Sequence, residues 1–202
     1  MARKVNLRAH PRLYVGDEGF ARLGRAPRIA LLRRAAEEVA EGAERYLGGP
    51  RFDWDQTTHN PHVRRIRRLG TRVVVLLVRW RQTGDRRYRD AAIEHIAEMG
   101  RWKYWSWIAW RRKDPRPEAI FDLSCGEGSM TLALAYDWLA GTLSKAERDL
   151  IVRIARDRAL RPFLHVTAAE RLGKMELADP WWFGWPTSNW NAVCAGGAGM
   201  LA

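Results

Sequence analysis

The sequence predicts an all-α fold, from three observations. Apolar residues recur at three- and four-residue intervals through several long segments, the period of a helix buried on one face. No stretch of useful length shows the alternation of a half-buried strand. Glycine and proline fall between the periodic segments rather than within them, which makes the pattern helix, turn, helix. Solenoid repeats would show self-similarity at about 34 or about 40 residues, and this chain has none. A toroid of helical hairpins or an irregular bundle fits the pattern, and no Pro/Gly/Ser-rich linker divides the 202 residues, so one domain is expected.

The elements follow in order. His10-Pro11-Arg12-Leu13-Tyr14 reads as an extended lead-in, and a short helix follows from Asp17 to Leu23. A helix is expected from Pro27 to about Leu47, with Ile29, Leu32, Ala36, Val39 and Ala43 on one face and Gly48-Gly49-Pro50 as its stop. The next runs from Pro61 to about Gln82 on the stripe Val63, Ile66, Leu69, Val73, Leu77 and Trp80. Thr83-Gly84-Asp85 turns the chain into a helix ending near Met99, with Tyr88, Ala91, Ala92, His95 and Ile96 on one face. An aromatic loop with Trp102, Tyr104, Trp105, Trp107 and Trp110 comes next, interleaved with Lys103, Arg111, Arg112 and Lys113. Ser124 followed by Glu127 predicts a capping box and a helix to Gly141, and Ser144 with Glu147 predicts a second box. That second helix approaches Pro162, and a further one covers Pro162 to Leu172. A second aromatic loop, Asp179 to Pro186, leads into a last helix from about Ser188.

Composition narrows the functional classes. An apolar fraction of 47% excludes a disordered chain. The net charge of +12 suggests anionic partners, yet the arginines are spread over several helices, which argues against a nucleic-acid arm and equally fits charged helix surfaces. Cys125 and Cys194 form no paired motif and read as small buried residues. The basic N-terminus has no apolar core of a signal peptide, and the longest apolar run, Val73 to Val78, is far too short to cross a bilayer. His59 and His62 lack a third ligand at zinc spacing, so neither a metal nor another cofactor is expected.

Tryptophan is the most informative residue type. Eleven in this length is high, and most lie in the two loops. Indole faces stack on the C–H faces of sugar rings, and neighbouring Arg and Lys hold carboxylate or sulfate. Together they describe a groove for an acidic glycan, with Trp105, Trp107, Arg111, Trp182, Trp185 and His59 as candidate contacts. The alternative is that these rings pack between helix layers. In Ser188-Asn189-Trp190-Asn191 two asparagines bracket a tryptophan at a helix start. Either Ser188 or Asn189 caps the helix, or an asparagine and the helix N-terminus face a substrate carboxylate.

Four segments carry a resemblance: His10 to Tyr14; Phe121 to Glu127; Leu134 to Leu139 with its continuation Leu143 to Arg148; and Ser188 to Cys194. In this order and spacing the chain resembles the heparinase II/III-like and alginate-lyase-like polysaccharide lyases over nearly its whole length. The resemblance implies an incomplete (α/α)-toroid of helical hairpins, followed in full-length members by the rest of the toroid and a β-sandwich. It implies β-elimination on a uronic-acid polysaccharide, and family members are often periplasmic or secreted. The C5 proton leaves only if the charge building on the adjacent carboxylate is stabilised. A base, commonly Tyr or His, takes that proton, and an acid protonates the leaving oxygen. Asn189 matches the family's carboxylate-neutralising asparagine, with Trp190, Asn191 and Glu127 as candidate substrate contacts. Tyr136 is a candidate for the cleft or for packing. Trp190 stands where several lyases of the family have His, and the family's catalytic Tyr and a further His fall beyond residue 202. The alternative is a non-catalytic domain that binds acidic glycan or serves as a scaffold.

Overall fold

The computed structural model describes residues 9–23, 25, 28–51, 61–106, 116–171 and 182–202. The predicted site residues His59, Trp107 and Arg111, and the expected helix start at Pro27, lie outside them. The described residues form eight α-helices and no strand: α1 Asp17–Leu23, α2 Ala30–Tyr46, α3 Pro61–Thr83, α4 Arg86–Arg101, α5 Leu123–Leu139, α6 Lys145–Ala155, α7 Arg161–Arg171 and α8 Asn189–Leu201. The fold is all-α, as the periodicity predicts.

Two hairpins form the body. The turn at Gly84, whose φ of 74° suits glycine, folds α4 back on α3. The connection from Ala140 to Ser144 does the same for α6 on α5. The hairpins lie side by side in one sense. Ile66 of α3 meets α5 at Gly128, and Gly70 meets it at Thr131, so α3 and α5 run parallel. On the other layer Arg89 of α4 meets Glu147 of α6, and Gly100 meets Ile154, so these two are parallel as well. Helix α2 crosses back over α3, with Gly42 near Val75 and Tyr46 under Arg72.

Helix α5 is the centre. It is apolar all round and touches α3, α6 and α8, so most of its residues are buried, including Leu132, Ala135 and Leu139 at 0% exposure. Its first turn differs from the expected capping box. Asp122, not Ser124, is the cap and accepts the Ser124 and Cys125 amides at 2.9 and 3.4 Å. Ser124 is buried inside the helix, and Glu127 reaches sideways to α3. Ser and Asp both cap well, and the two-residue offset goes to Asp122 because its charge strengthens the bonds. The second box forms as predicted: Ser144 accepts the Glu147 amide, and the Glu147 carboxylate accepts that of Ser144.

The helix expected from Pro162 is α7, which begins one residue earlier, but no loop separates it from α6. A π-helical turn, Arg156–Leu160, joins α6 to α7 without a gap. The Arg161 amide reaches back five residues to the Arg156 carbonyl. The widened turn takes in a proline that has no amide to donate and whose ring crowds the preceding turn. The first turns of α2 also depart from the predicted stripe. Ile29 and Leu32 are 62% and 52% exposed, and only Ala43 of the five stripe residues is buried.

Candidate functional site

Ser188 caps α8, accepting the Trp190 amide at 3.2 Å on its hydroxyl, while its carbonyl accepts the amides of Asn191 and Ala192. Asn189 is therefore not the cap. It is the first residue of the helix, exposed, and its side chain makes no hydrogen bond among the described residues. The amide stands at the positive end of a helix whose thirteen residues carry no charge. Most of the first-turn N–H groups are already satisfied, so an anion here would be held by the Asn189 side chain and the helix field.

Asn191 faces the other way and donates to the Phe183 carbonyl at 3.1 Å, tying the preceding loop to the helix. Trp190 is partly buried against the core. Further turns brace the loop: Trp185 donates to the Trp182 carbonyl, and Ser188 to that of Trp185. Trp185, close to Asn189 in sequence, is 58% exposed.

The other tryptophans correct the glycan-platform expectation. Trp182 is 1% exposed. Its indole N–H donates to the Phe121 carbonyl at 3.1 Å, and its ring packs among Phe121, Phe163 and Phe183. Trp105 is 3% exposed, donates to the Met99 carbonyl, and fills the space over Gly128. Neither ring offers a face to a sugar. Each indole has the apolar body and the single donor that a buried site beside a loop carbonyl satisfies.

Glu127 lies on the turn of α5 that meets α8, where Gly126 touches Val193 and Cys194. The Arg67 guanidinium of α3 holds it in a fork, with Nε at 2.7 and 2.8 Å from the two carboxylate oxygens and Nη2 at 2.5 Å from one. Hydrogen bonding to Glu127 raises the Arg67 pKa further. Glu127 is thus a braced structural carboxylate with a half-exposed arginine beside it. Burial raises the pKa of the neighbouring Cys194 thiol, with the charges of Asp122 and Glu127 adding to the shift, so it stays protonated at neutral pH.

Tyr136 is not brought to this place. It follows Gly126 by ten positions, about 15 Å along the helix axis. There its hydroxyl accepts from Arg148 at 3.3 Å and its ring meets the edge of His10. A clamp missed in the sequence surrounds it. Asp137, 2% exposed, accepts the Arg12 and Leu13 amides at 2.8 and 2.9 Å and contacts His10 Nδ1 at 2.5 Å. Trp138 donates to the Leu13 carbonyl. The lead-in and the Tyr-Asp-Trp run, two of the segments that carry the resemblance, are therefore one structural unit. The signal lay in Asp137 itself: a carboxylate between aromatic residues in the apolar second half of the helix needs a partner.

A second missed residue is Arg65. It is 9% exposed, stacks 3.7 Å from the Trp102 ring and donates to the Tyr104 carbonyl. Burial lowers its pKa to about 10, with Glu98 opposing the shift, so it remains a cation at neutral pH. Arg65 follows His62 by three and precedes Leu69 by four, so the helical period already put it on the buried stripe.

Among the described residues no cluster of His, Cys, Asp and Glu could hold a metal ion, and no helix is long and apolar enough to cross a membrane. No protein-family model matches the chain. Nor does any curated protein.

Proposed function

We propose that the chain is the N-terminal part of an (α/α)-toroid of the heparinase II/III-like kind, and that it supplies the carboxylate-binding part of a site for uronic-acid polysaccharide. The observation that carries this reading is Asn189: an exposed amide without a protein partner among the described residues, at the start of an uncharged helix. Two parallel hairpins packed side by side are also what a toroid needs of its neighbouring pairs.

In β-elimination the amide N–H of Asn189 would donate to the uronate carboxylate as negative charge grows there, and the helix field would act in the same direction. Trp185 would give the ring an apolar face. The base and acid are not Tyr136, which stands at the far end of α5. The resemblance puts them beyond residue 202.

A second reading, a non-catalytic domain that retains acidic glycan, is favoured by Trp190, which occupies the family's histidine position and packs against the core. Affinity electrophoresis through alginate, heparan sulfate, hyaluronan and pectate tests the shared part. Asn189→Ala should lose most of the retardation on one of these polymers, by about ten-fold in Kd if one charge-assisted bond is lost. Equal retardation of wild type and variant on all four sinks the proposal. Absorbance of an unsaturated uronate product from a full-length version, with none from this chain alone, would select the lyase reading, and retention without product from either the binding one.

A further inference from the structure

The first turn of α2 projects beyond the body. Gly42 lies against Val75 and Tyr46 beside Arg72, so α2 runs antiparallel to α3. That register brings position 34 level with Thr83, where α3 ends. The turn before it overhangs by about 6 Å. The overhang accounts for apolar side chains that meet no neighbour: Ile29, Leu31 and Leu32 are 62%, 74% and 52% exposed. Leu23, 42% exposed, closes α1 at the same end of α3, where Gln82 donates to its carbonyl at 3.3 Å. A single exposed apolar residue is ordinary, but these four fall within ten positions.

The same stretch is strongly basic. From Gly19 to Ala36 it holds five arginines, Arg22, Arg25, Arg28, Arg33 and Arg34, and no acidic residue. All five are exposed. Arg34 pairs with Glu38, whereas Arg22, Arg25, Arg28 and Arg33 pair with no carboxylate among the described residues. Arg33 bonds back to the Arg28 carbonyl at 3.0 Å across the helix start. The first turn of α2 carries no acidic residue, so these cations stand at the positive end of the helix, where an anion is favoured and a cation is not.

We propose that this overhanging end of α2 docks on an anionic lipid surface. Ile29, Leu31 and Leu32 enter the boundary between headgroups and acyl chains, and Arg28 and Arg33 take lipid phosphates. The pairing of aliphatic side chains with unpaired cations selects this occupant. Nucleic acid and acidic glycan supply anions but no aliphatic interior for leucine. A second copy on a two-fold axis would set the same arginines against one another. Only a surface that is anionic outside and apolar beneath satisfies both parts. Docking of this kind needs no segment that crosses the bilayer.

The test sediments the chain with vesicles of phosphatidylcholine alone and of phosphatidylcholine and phosphatidylglycerol in equal parts. The chain should pellet with the mixed vesicles only. Net charge alone would draw it there, so the deciding variant keeps the charge: Leu31→Ser with Leu32→Ser should weaken binding about ten-fold. Both positions are more than half exposed, so the melt of this variant should match that of wild type. If it does not, Arg28→Gln with Arg33→Gln carries the test, with a loss of about five-fold for each charge. Arg64→Gln with Arg68→Gln removes as much charge from exposed positions at least about 20 Å back along α3. That control should change binding by less than about two-fold, because salt screens charge at such a distance. Amide exchange across 29–36 should slow on the mixed vesicles. No pelleting, equal pelleting with both vesicles, full binding by the serine variant, or an equal loss in the two arginine variants would each overturn the proposal. A serine variant that loses retention on heparan sulfate as well would assign the face to glycan and overturn it too. Asn189→Ala should pellet as wild type does, so this face and the Asn189 site fail or stand separately.

Discussion

Trp182 and Trp185 are three positions apart and have opposite fates. Trp182 fills a pocket of three phenylalanines and spends its only donor on a backbone carbonyl, whereas Trp185 is more than half exposed. Trp182→Ala should therefore cost about 3 to 5 kcal/mol of stability. Trp185→Ala should leave stability within about 0.5 kcal/mol, as is usual at the surface, and should instead weaken retention on acidic glycan. Denaturant melts of both variants beside affinity electrophoresis measure this, and the reverse pattern would remove Trp185 from the site. The Arg89–Glu147 pair makes a different prediction. Arg89, 5% exposed in its side chain, reaches Glu147 at 2.7 and 2.9 Å and the Thr142 carbonyl at 2.8 Å. Hydrogen bonding to Arg89, then to Ser144, lowers the Glu147 pKa to about 2. The folded value lies below that of the unfolded chain, near 4.5. The stabilisation is thus complete above the unfolded value and is lost as pH falls from there towards 2. Glu147→Gln keeps the shape and can still serve a capping box. It should cost about 1 to 3 kcal/mol at pH 7, the range for charge-assisted hydrogen bonds in a partly buried pair, and almost nothing near pH 2. A cost that does not change with pH would mean that the charge contributes nothing.

At the scale of elements, α5 and α8 pack more closely than side chains allow. A Cβ on Gly126 would lie 2.5 Å from the Val193 carbonyl oxygen, and one on Gly197 would lie 2.1 Å from that of Gly126. Both obstacles are backbone, so neither can rotate away. Gly126→Ala and Gly197→Ala should each destabilise by more than about 3 kcal/mol, the upper range for overpacking. Gly196 and Gly199 of the same helix meet nothing within 4 Å. Alanine there should stabilise by about 0.5 to 1 kcal/mol through the unfolded chain. Thermal melts of the four variants check the contrast, and equal effects would mean that α8 does not sit on α5 as described. Helix existence was legible, from the apolar period in α3 and α4 and from capping residues and flanking glycines around the all-round apolar α5. Boundaries were less so. The Ser124 cap fails because it rests on a local motif, while Asp122 two residues upstream offers the backbone a better arrangement; the helix expected from Pro162 is α7, and only the π turn that joins it to α6 was not legible. The cap of α8 was legible to within the choice of Ser188 or Asn189, where local chemistry decides. It was not legible at Trp105, Trp182 or Tyr136, whose surroundings are set by residues distant in the chain.

For the molecule as a whole, the net charge of +12 is the hardest feature to separate from specific recognition. Several of the cations are paired, which leaves that surplus unchanged. Arg67, Arg81, Arg87, Arg89, Arg101 and Arg156 each pair with a carboxylate among the described residues. The remaining cations should attract any polyanion over distances that salt shortens, from about 10 Å at 0.1 M to about 3 Å at 1 M. An amide–carboxylate contact backed by a ring face acts at contact range and is screened far less. Two components are therefore expected in glycan retention. Raising the salt should remove one from wild type and Asn189→Ala alike, and the residue that survives should be present only in wild type. Single-stranded DNA, which offers charge and stacking bases but no uronate ring, should show the salt-sensitive component alone. Affinity electrophoresis of both proteins on glycan and DNA across that salt range decides it. If wild type and variant lose glycan retention along one curve, recognition is only charge, and Asn189 has no part in it.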